Sequence, residues 1–231
     1  MSLEFNKISI VVPAYNEEEV IGSLIKAVKD AKLGDYELII VNDGSNDNTE
    51  VIIKKEAKKD KRIRLISHAH NQGLGAALRT GFAAAKKEII VTMDSDLTHH
   101  PSFILNLLGC MEKKGCDVCI ASRYVKGGGM RNVPMWRVAL SKVANVFFSI
   151  IFHIKAKDIT SGFKAYKAKK IKSVRITRTD FASQLEIMAK LARMKASFCE
   201  IPYILETRKK GVSKFKPAMY LKYLGVLKDL I

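Results

Sequence analysis

The sequence predicts a single α/β domain built on a mostly parallel sheet with helices on both faces. Three observations predict it. Short apolar runs rich in β-branched residues recur through the first half, at 8–12, 38–41, 63–66 and 88–93. Between them lie longer stretches of helical period, one with a solvated lysine face. Three of the runs end in loops carrying acidic or aromatic polar groups. Continuous apolar strands alternating with helices are the pattern of a parallel sheet buried on both sides.

Taken in order, 8–12 is the first strand, and 17–32 follows as a helix with Val20, Ile21, Leu24, Ile25 and Val28 on one face. The second strand, 38–41, leads into a turn-rich loop at 42–48, and 49–59 is a helix with a lysine face. A third strand at 63–66, an Ala-rich helix at 73–85 and a fourth strand at 88–93 complete this half. The character changes after Tyr124. Lys126-Gly127-Gly128-Gly129 is a flexible loop, and an apolar segment edged by cations runs over 134–154. A loop at 158–163, a helix at 181–193, a strand near 201–205 and the basic stretch Arg208-Lys209-Lys210-Gly211 come next. The final helical pattern, Tyr220, Leu224, Leu227 and Ile231, reaches the last residue without a cap, so a further anchoring segment or subunit is expected beyond it.

Lys and Arg outnumber Asp and Glu 40 to 23, a net charge of +17, which points to an anionic partner. Nucleotide phosphates, lipid headgroups and nucleic acid all fit. Cys110, Cys116, Cys119 and Cys199 lack zinc-motif spacing and read as buried small hydrophobes in a reducing compartment. No signal peptide precedes the first strand. No apolar run reaches the roughly 18 residues needed to span a bilayer.

The run 88–93 leads into Asp94-Ser95-Asp96, two carboxylates one residue apart at a strand's end. In open α/β sheets, ligands gather at the carboxyl ends of strands. Two acids there repel each other unless a cation lies between them, and Mg2+ or Mn2+ fits because hard cations take oxygen ligands and bridge to phosphates. The competing reading, turn residues ahead of a helix at Pro101, stays open on this motif alone. Nearby, Tyr15 offers a ring to stack on a base, and Asp43 an acceptor for a base or ribose hydroxyl, although 46–49 also reads as an ordinary helix N-cap. No G-x-x-x-x-G-K-[ST] phosphate loop occurs, and Gly73-Leu74-Gly75 lacks the third glycine of a dinucleotide fingerprint. His99 and His100 read as structural loop residues.

In sequence order, Val11-Val12-Pro13-Ala14-Tyr15-Asn16-Glu17, Val41-Asn42-Asp43-Gly44-Ser45-Asn46-Asp47-Asn48-Thr49, Asn71-Gln72-Gly73-Leu74-Gly75 and Met93-Asp94-Ser95-Asp96-Leu97-Thr98-His99-His100-Pro101 resemble glycosyltransferase family 2. Ser122-Arg123-Tyr124, Trp136-Arg137, Ser141, Asp158-Ile159-Thr160-Ser161-Gly162-Phe163, Gln184, Glu186 and the 208–214 stretch make the chain similar to its polyprenyl-phosphate (dolichyl-phosphate) mannosyltransferases. The resemblance implies a GT-A fold, a nucleotide-sugar donor, a divalent metal and inversion at the anomeric carbon. It implies that Pro13, Tyr15, Glu17 and Asp43 line the nucleoside pocket, and that Asp94 and Asp96 hold metal and pyrophosphate with Thr98 as a third contact. Arg123, Arg137 and Ser141 are expected to bind the acceptor phosphate, the two arginines acting with the two acids in catalysis, and Lys214 to close over the donor. Residues 1–124 become a nucleotide-sugar half and 125–231 an acceptor half. The expected reaction moves mannose from GDP-mannose to polyprenyl or dolichyl phosphate at the cytoplasmic face of a membrane. UDP-glucose is the alternative donor, since Asn42-Asp43 stands where many relatives have two acids.

Charge explains how such a reaction would run. A phosphate monoester, with its second pKa near 6, is already mostly ionised at neutral pH and needs no strong general base. It needs placing beside another anion, which arginines do through permanently charged, bidentate contacts. The segment 135–154, with Trp136, Phe147, Phe148, Ile150, Ile151 and Phe152 edged by Arg137, Lys142 and Lys155, reads either as an amphipathic helix in the headgroup region or as a core helix under the C-terminal one. A nucleic-acid-binding protein is the distant alternative. Lysines spread along helices and acids at strand ends argue against it.

Overall fold

The computed structural model describes residues 7–206 and 219–230. Its main sheet contains β1 (Lys7–Ala14), β2 (Asp35–Asn42), β3 (Ile63–Ser67), β4 (Ile89–Thr92), β5 (Val118–Ser122), β7 (Lys164–Lys167) and β8 (Phe198–Pro202), in the order β3-β2-β1-β4-β7-β5-β8. Neighbours are parallel except β7, which runs antiparallel to β4 and β5. β6 (Gly129–Met130) and β9 (Ile204–Leu205) pair separately. The helices are α1 (Ile21–Asp30), α2 (Thr49–Lys59), α3 (Leu74–Ala84), α4 (Ile104–Lys114), α5 (Met135–Ile151), α6 (Ala168–Lys172), α7 (Ser183–Arg193) and α8 (Met219–Leu230).

Successive strand residues feed two cores. On one face Val11, Ile39, Val41 and Ile90 pack with Leu78 and Phe82 of α3, Leu185 and Met188 of α7 and Val226 of α8. On the other, Ile10, Val12, Leu38 and Ile40 meet Ile21, Leu24, Ile25 and Val28 of α1 and Leu107 and Met111 of α4. Alternation between two apolar faces is why these strands read as unbroken hydrophobic runs. At Gly81 a Cβ would lie 2.3 Å from Val11 Cγ1, so only glycine lets α3 approach β1 this closely.

Departures from the sequence reading have local causes. α1 begins at Ile21, not at 17, because Asn16 turns left-handed (φ 51) and the Glu17 N–H donates to Thr49 Oγ1 at 2.8 Å. The strand expected at 201–205 splits into β8 and β9 around Tyr203. β7 went unanticipated because Lys164-Ala165-Tyr166-Lys167 lacks an apolar run, yet Lys164 and Tyr166 are fully buried. The expectation of four reduced cysteines is corrected: all four are buried, but Cys116, in the turn before β5, forms a disulfide with Cys199 of β8.

α5 buries only Asn145 and Phe148, the latter under Tyr223 of α8 at 5.9 Å between rings. Met135, Trp136, Val143 and Ile150 are 82%, 57%, 66% and 67% exposed, so the core-helix alternative fails for most of this surface. Among the described residues no helix is long and apolar enough to cross a membrane. Lys214 and the basic stretch at 208–211 lie outside the described residues.

Candidate active site

The carboxyl ends of β1, β2, β4 and β5 set the site. β1 and β2 end in register, Ala14 opposite Asn42, so their loops leave side by side. Short polar side chains lace these loops together. Asn16 N–H donates to Ser45 Oγ at 3.0 Å and Asn46 N–H to Asn16 Oδ1 at 2.9 Å. Asn48 donates to Glu18 and Glu18 N–H to Asp47. The acid and amide pattern that suggested a nucleoside pocket therefore serves, in this structure, to tie the two loops to each other. Pro13 and Tyr15 are half-buried, and Glu17 is buried.

Asp43, 4% exposed, has most of its accepting capacity engaged. Its carboxylate takes N–H bonds from Gln72 and Gly73 at 3.0 and 2.8 Å and meets His68 Nδ1 at 2.7 Å, whose other ring nitrogen reaches Thr80. A carboxylate accepts about four bonds. Asp43 thus fastens the 68–73 loop first and has little left for a ligand. That loop continues into a close approach: Gly75 N–H donates to Thr179 O at 2.7 Å, and a Cβ on Gly73 (φ 92) would lie 2.4 Å from the same oxygen. The Gly73-Leu74-Gly75 motif is explained by that contact.

At the end of β4, the acid pair is held by its own loop. Asp96, 6% exposed, accepts from Thr98 N–H at 3.0 Å and from Thr98 Oγ1 at 2.6 Å, over a left-handed Leu97 (φ 61). The Thr98 hydroxyl is thus turned onto Asp96. The Asp94 carboxylate is 47% exposed and lies against Gly162, where a Cβ would come 2.8 Å from Oδ1. His99 accepts the Asp94 N–H at 3.1 Å and stacks on Phe163 at 4.9 Å. Burial holds the His99 pKa below its ordinary value, outweighing Asp94 and Asp96. Tyr203 closes the loop, accepting from His100 N–H and donating to Thr98 O.

Arg123 follows β5. Its Nε and Nη2 grip the fully buried Asp158 at 2.7 and 2.6 Å, and Nη2 also reaches Thr160. Burial pulls the guanidinium pKa down, but the Asp158 carboxylate outweighs it and holds the group above its ordinary value. Thr160 is tied to Asn145 of α5, Asn145 Nδ2 donates to Ser141 O, and Tyr124 Oη donates to Ser141 Oγ at 2.7 Å. Arg123 and Ser141 therefore belong to one network, while Arg137 stacks beside Trp136 at 5.5 Å on the exposed start of α5. Beside this network opens a pocket of about 380 Å3 lined by Arg123, Tyr124, Lys126, Gly127, Val138 and Lys142.

Sequence reasoning missed Lys164, Asn145 and the part Gly162 plays. Lys164 Nζ donates to Ser161 O and to Gln184 Oε1, and burial lowers its pKa to about 7 despite Asp158 and Asp94. Glu186, two residues beyond Gln184, takes the N–H groups of Thr177 and Arg178 and so fixes the loop that Gly75 meets. A polar residue inside an otherwise apolar segment, as at Asn145, was the signal available.

The sequence pattern of glycosyl transferase family 2 matches residues 9–175. A dolichol-phosphate mannosyltransferase of Pyrococcus furiosus is 33% identical over 222 residues, 94% of this chain and 62% of that one. A polyprenol monophosphomannose synthase of Mycolicibacterium smegmatis is 31% identical over 212 residues, 89% of this chain and 79% of that one. The chain thus spans less than two thirds of the Pyrococcus relative's length. Glucosyl-3-phosphoglycerate synthase from Mycobacterium tuberculosis, solved with Mn2+, uridine-diphosphate and glucosyl-3-phosphoglycerate, has a TM-score of 0.72 at 22% identity over 96% of this chain and 79% of that one. That likeness speaks to fold alone.

Proposed function

Because the chain belongs to glycosyl transferase family 2, we propose that it transfers mannose from GDP-mannose to the phosphate of a polyprenyl or dolichyl phosphate at the cytoplasmic face of a membrane. What carries the reading is a juxtaposition: the acid pair after β4 lies between the laced nucleoside loops and the Arg123–Asp158–Asn145 network. His99 is influenced electrostatically by Asp94, Asp96, Arg123 and Asp158 together, which marks one shared neighbourhood. The two named relatives, a dolichol-phosphate mannosyltransferase and a polyprenol monophosphomannose synthase, support the acceptor class.

A divalent metal fits the residues present. Asp94 offers a half-exposed carboxylate and Asp96 a second one oriented by Thr98, an all-oxygen set suited to Mg2+ or Mn2+. Bound there, the ion would supply Lewis-acid stabilisation of charge on the leaving diphosphate. Pro13, Tyr15 and Glu17 would face the nucleoside, and Lys214, which lies outside the described residues, would close over the donor. Thr98 acts through Asp96, and Asp43 through the loop it fastens.

The acceptor phosphate would enter the pocket between Arg123, Lys126 and Lys142. With Nε and Nη2 committed to Asp158, Arg123 has Nη1 to offer, and Asp158 fixes its direction. Arg137 and Ser141 complete the approach from α5. Three cations beside a phosphate hold it in its ionised, nucleophilic form, so no proton-accepting side chain is required. The exposed apolar stripe of α5 beside this pocket supports a resting place for the lipid chain and for the membrane surface.

The test is sugar transfer from GDP-mannose or UDP-glucose to polyprenyl phosphate in anionic vesicles with Mn2+. A solvent-extractable mannolipid is expected. Glucolipid alone would change the donor. Transfer only to a soluble acceptor such as 3-phosphoglycerate would overturn the acceptor assignment.

A further inference from the structure

All four cysteines of the chain converge at the start of β5 and β8. Cys110 comes from the second half of α4, which Gly115 ends in a left-handed turn (φ 63) that returns the chain to Cys116. Cys119 lies on β5, directly opposite Cys199 on β8. The sulfurs of Cys110 and Cys199 are 3.5 Å apart, those of Cys110, Cys119 and Cys199 lie within 4.8 Å of one another, and Cys116 is bonded to Cys199. None is more than 8% exposed.

We propose that this cluster is a tetrathiolate site for one soft divalent cation of the zinc type, loaded when the Cys116–Cys199 disulfide is reduced. Sulfurs bound to one tetrahedral zinc, with Zn–S about 2.3 Å, lie roughly 3.8 Å apart. The spacings among Cys110, Cys119 and Cys199, 3.5 Å for one pair and within 4.8 Å for all three, are compatible with that figure, and Cys116, once released from Cys199, would turn in as the fourth ligand. Opening the disulfide takes two electrons and two protons from a dithiol, which closes into its own disulfide. Binding the cation then converts four thiols to thiolates and releases four protons. The buried anionic centre has compensation in place: the Ile120 N–H donates to the Cys119 sulfur, and the Lys114 ammonium acts favourably on it. The sequence hid the site because its ligands come from α4, a turn, β5 and a strand 83 residues further on.

The site would also brace the acceptor side. Glu200, next to Cys199, accepts the backbone N–H groups of Lys157 and Asp158, and Asp158 holds Arg123.

The experiment is a cobalt titration of the full chain after reduction by a dithiol, with free thiols counted beforehand. Asp94 and Asp96 offer oxygen and give no thiolate-to-cobalt charge-transfer band, so the band reports this cluster alone, whatever the fate of the sugar-transfer reading. Four thiols, one cobalt per chain giving the band, release of about four protons per ion and displacement by equimolar zinc are expected. Cys119→Ser should lose most of the band's intensity, and Cys110→Ser with Cys119→Ser all of it. A chain with four free thiols that shows no band, or a band undiminished in the double variant, overturns the proposal. So does a chain that retains its disulfide under reducing conditions that open surface disulfides.

Discussion

The loops around the proposed nucleoside side and the network on the proposed acceptor side hold their polar groups in opposite ways. After β1 and β2, several short, exposed bonds run from Asn16 and Glu18 to residues 45–48, each replaceable by water. After β5, one guanidinium sits on one fully buried carboxylate, and Thr160, Asn145 and Ser141 hang from that pair. A distributed lattice of bonds worth about 1 kcal/mol each loses little when one goes. A buried ion pair fails when either partner is removed, because the other charge stays behind in low dielectric. The first arrangement suits a pocket that must keep its shape. The second suits a group that must point a positive charge in one direction.

Breaking the Arg123–Asp158 network should show the largest effect. Asp158→Ala strands Arg123 and should cost about 3–5 kcal/mol in urea unfolding. Replacing the pair together, Asp158→Leu with Arg123→Met, should recover most of that stability while transfer stays lost. If the double variant is no more stable than the single one, the ion pair is not the keystone. Asp43→Asn comes next, weakening the contacts to His68, Gln72 and Gly73, at a cost of about 1–3 kcal/mol. Donor affinity should fall with it as the 68–73 loop loosens; unchanged affinity would leave Asp43 purely structural.

Lys164 sharpens the comparison through pH. Burial has lowered its pKa to about 7. Between there and the unfolded value near 10.4, the unfolded chain holds a proton that the folded chain has shed. Stability should therefore rise with pH across that window, with the full penalty felt below about pH 7, and Lys164→Met should flatten the rise. A slope of opposite sign in the wild type would mean that Lys164 stays charged inside. The smallest effect belongs to the lattice: Ser45→Ala, which removes one acceptor for Asn16 N–H, should stay within about 0.5 kcal/mol.

What the sequence made legible follows from the range of the interaction. Strands with unbroken β-branched runs and α2, with its exposed lysines, were readable because their signals are local. The placement of Asp94, Asp96, Asp43 and Tyr15 at strand ends was readable for the same reason. The Asp158–Arg123 pair, Lys164 under Gln184, and the four sulfurs depend on partners tens of residues away, and no spacing rule encodes those. β7 is the instructive case. Its alternation of Lys164, Ala165, Tyr166 and Lys167 suits an edge, and only the topology puts it in the middle of the sheet. α5 was ambiguous because an apolar helix facing solvent and one facing a core share one pattern.

The central claim is that the Asp94–Asp96 pair holds a divalent cation on which donor binding depends. Calorimetric titration of GDP-mannose and UDP-glucose, with and without Mn2+, into the wild type and Asp96→Asn tests it directly, because asparagine keeps an acceptor for Thr98 while removing the charge. Binding of one donor that strengthens at least tenfold with Mn2+ in the wild type, and not in the variant, is the predicted result. Equal donor affinity in all four conditions would contradict it.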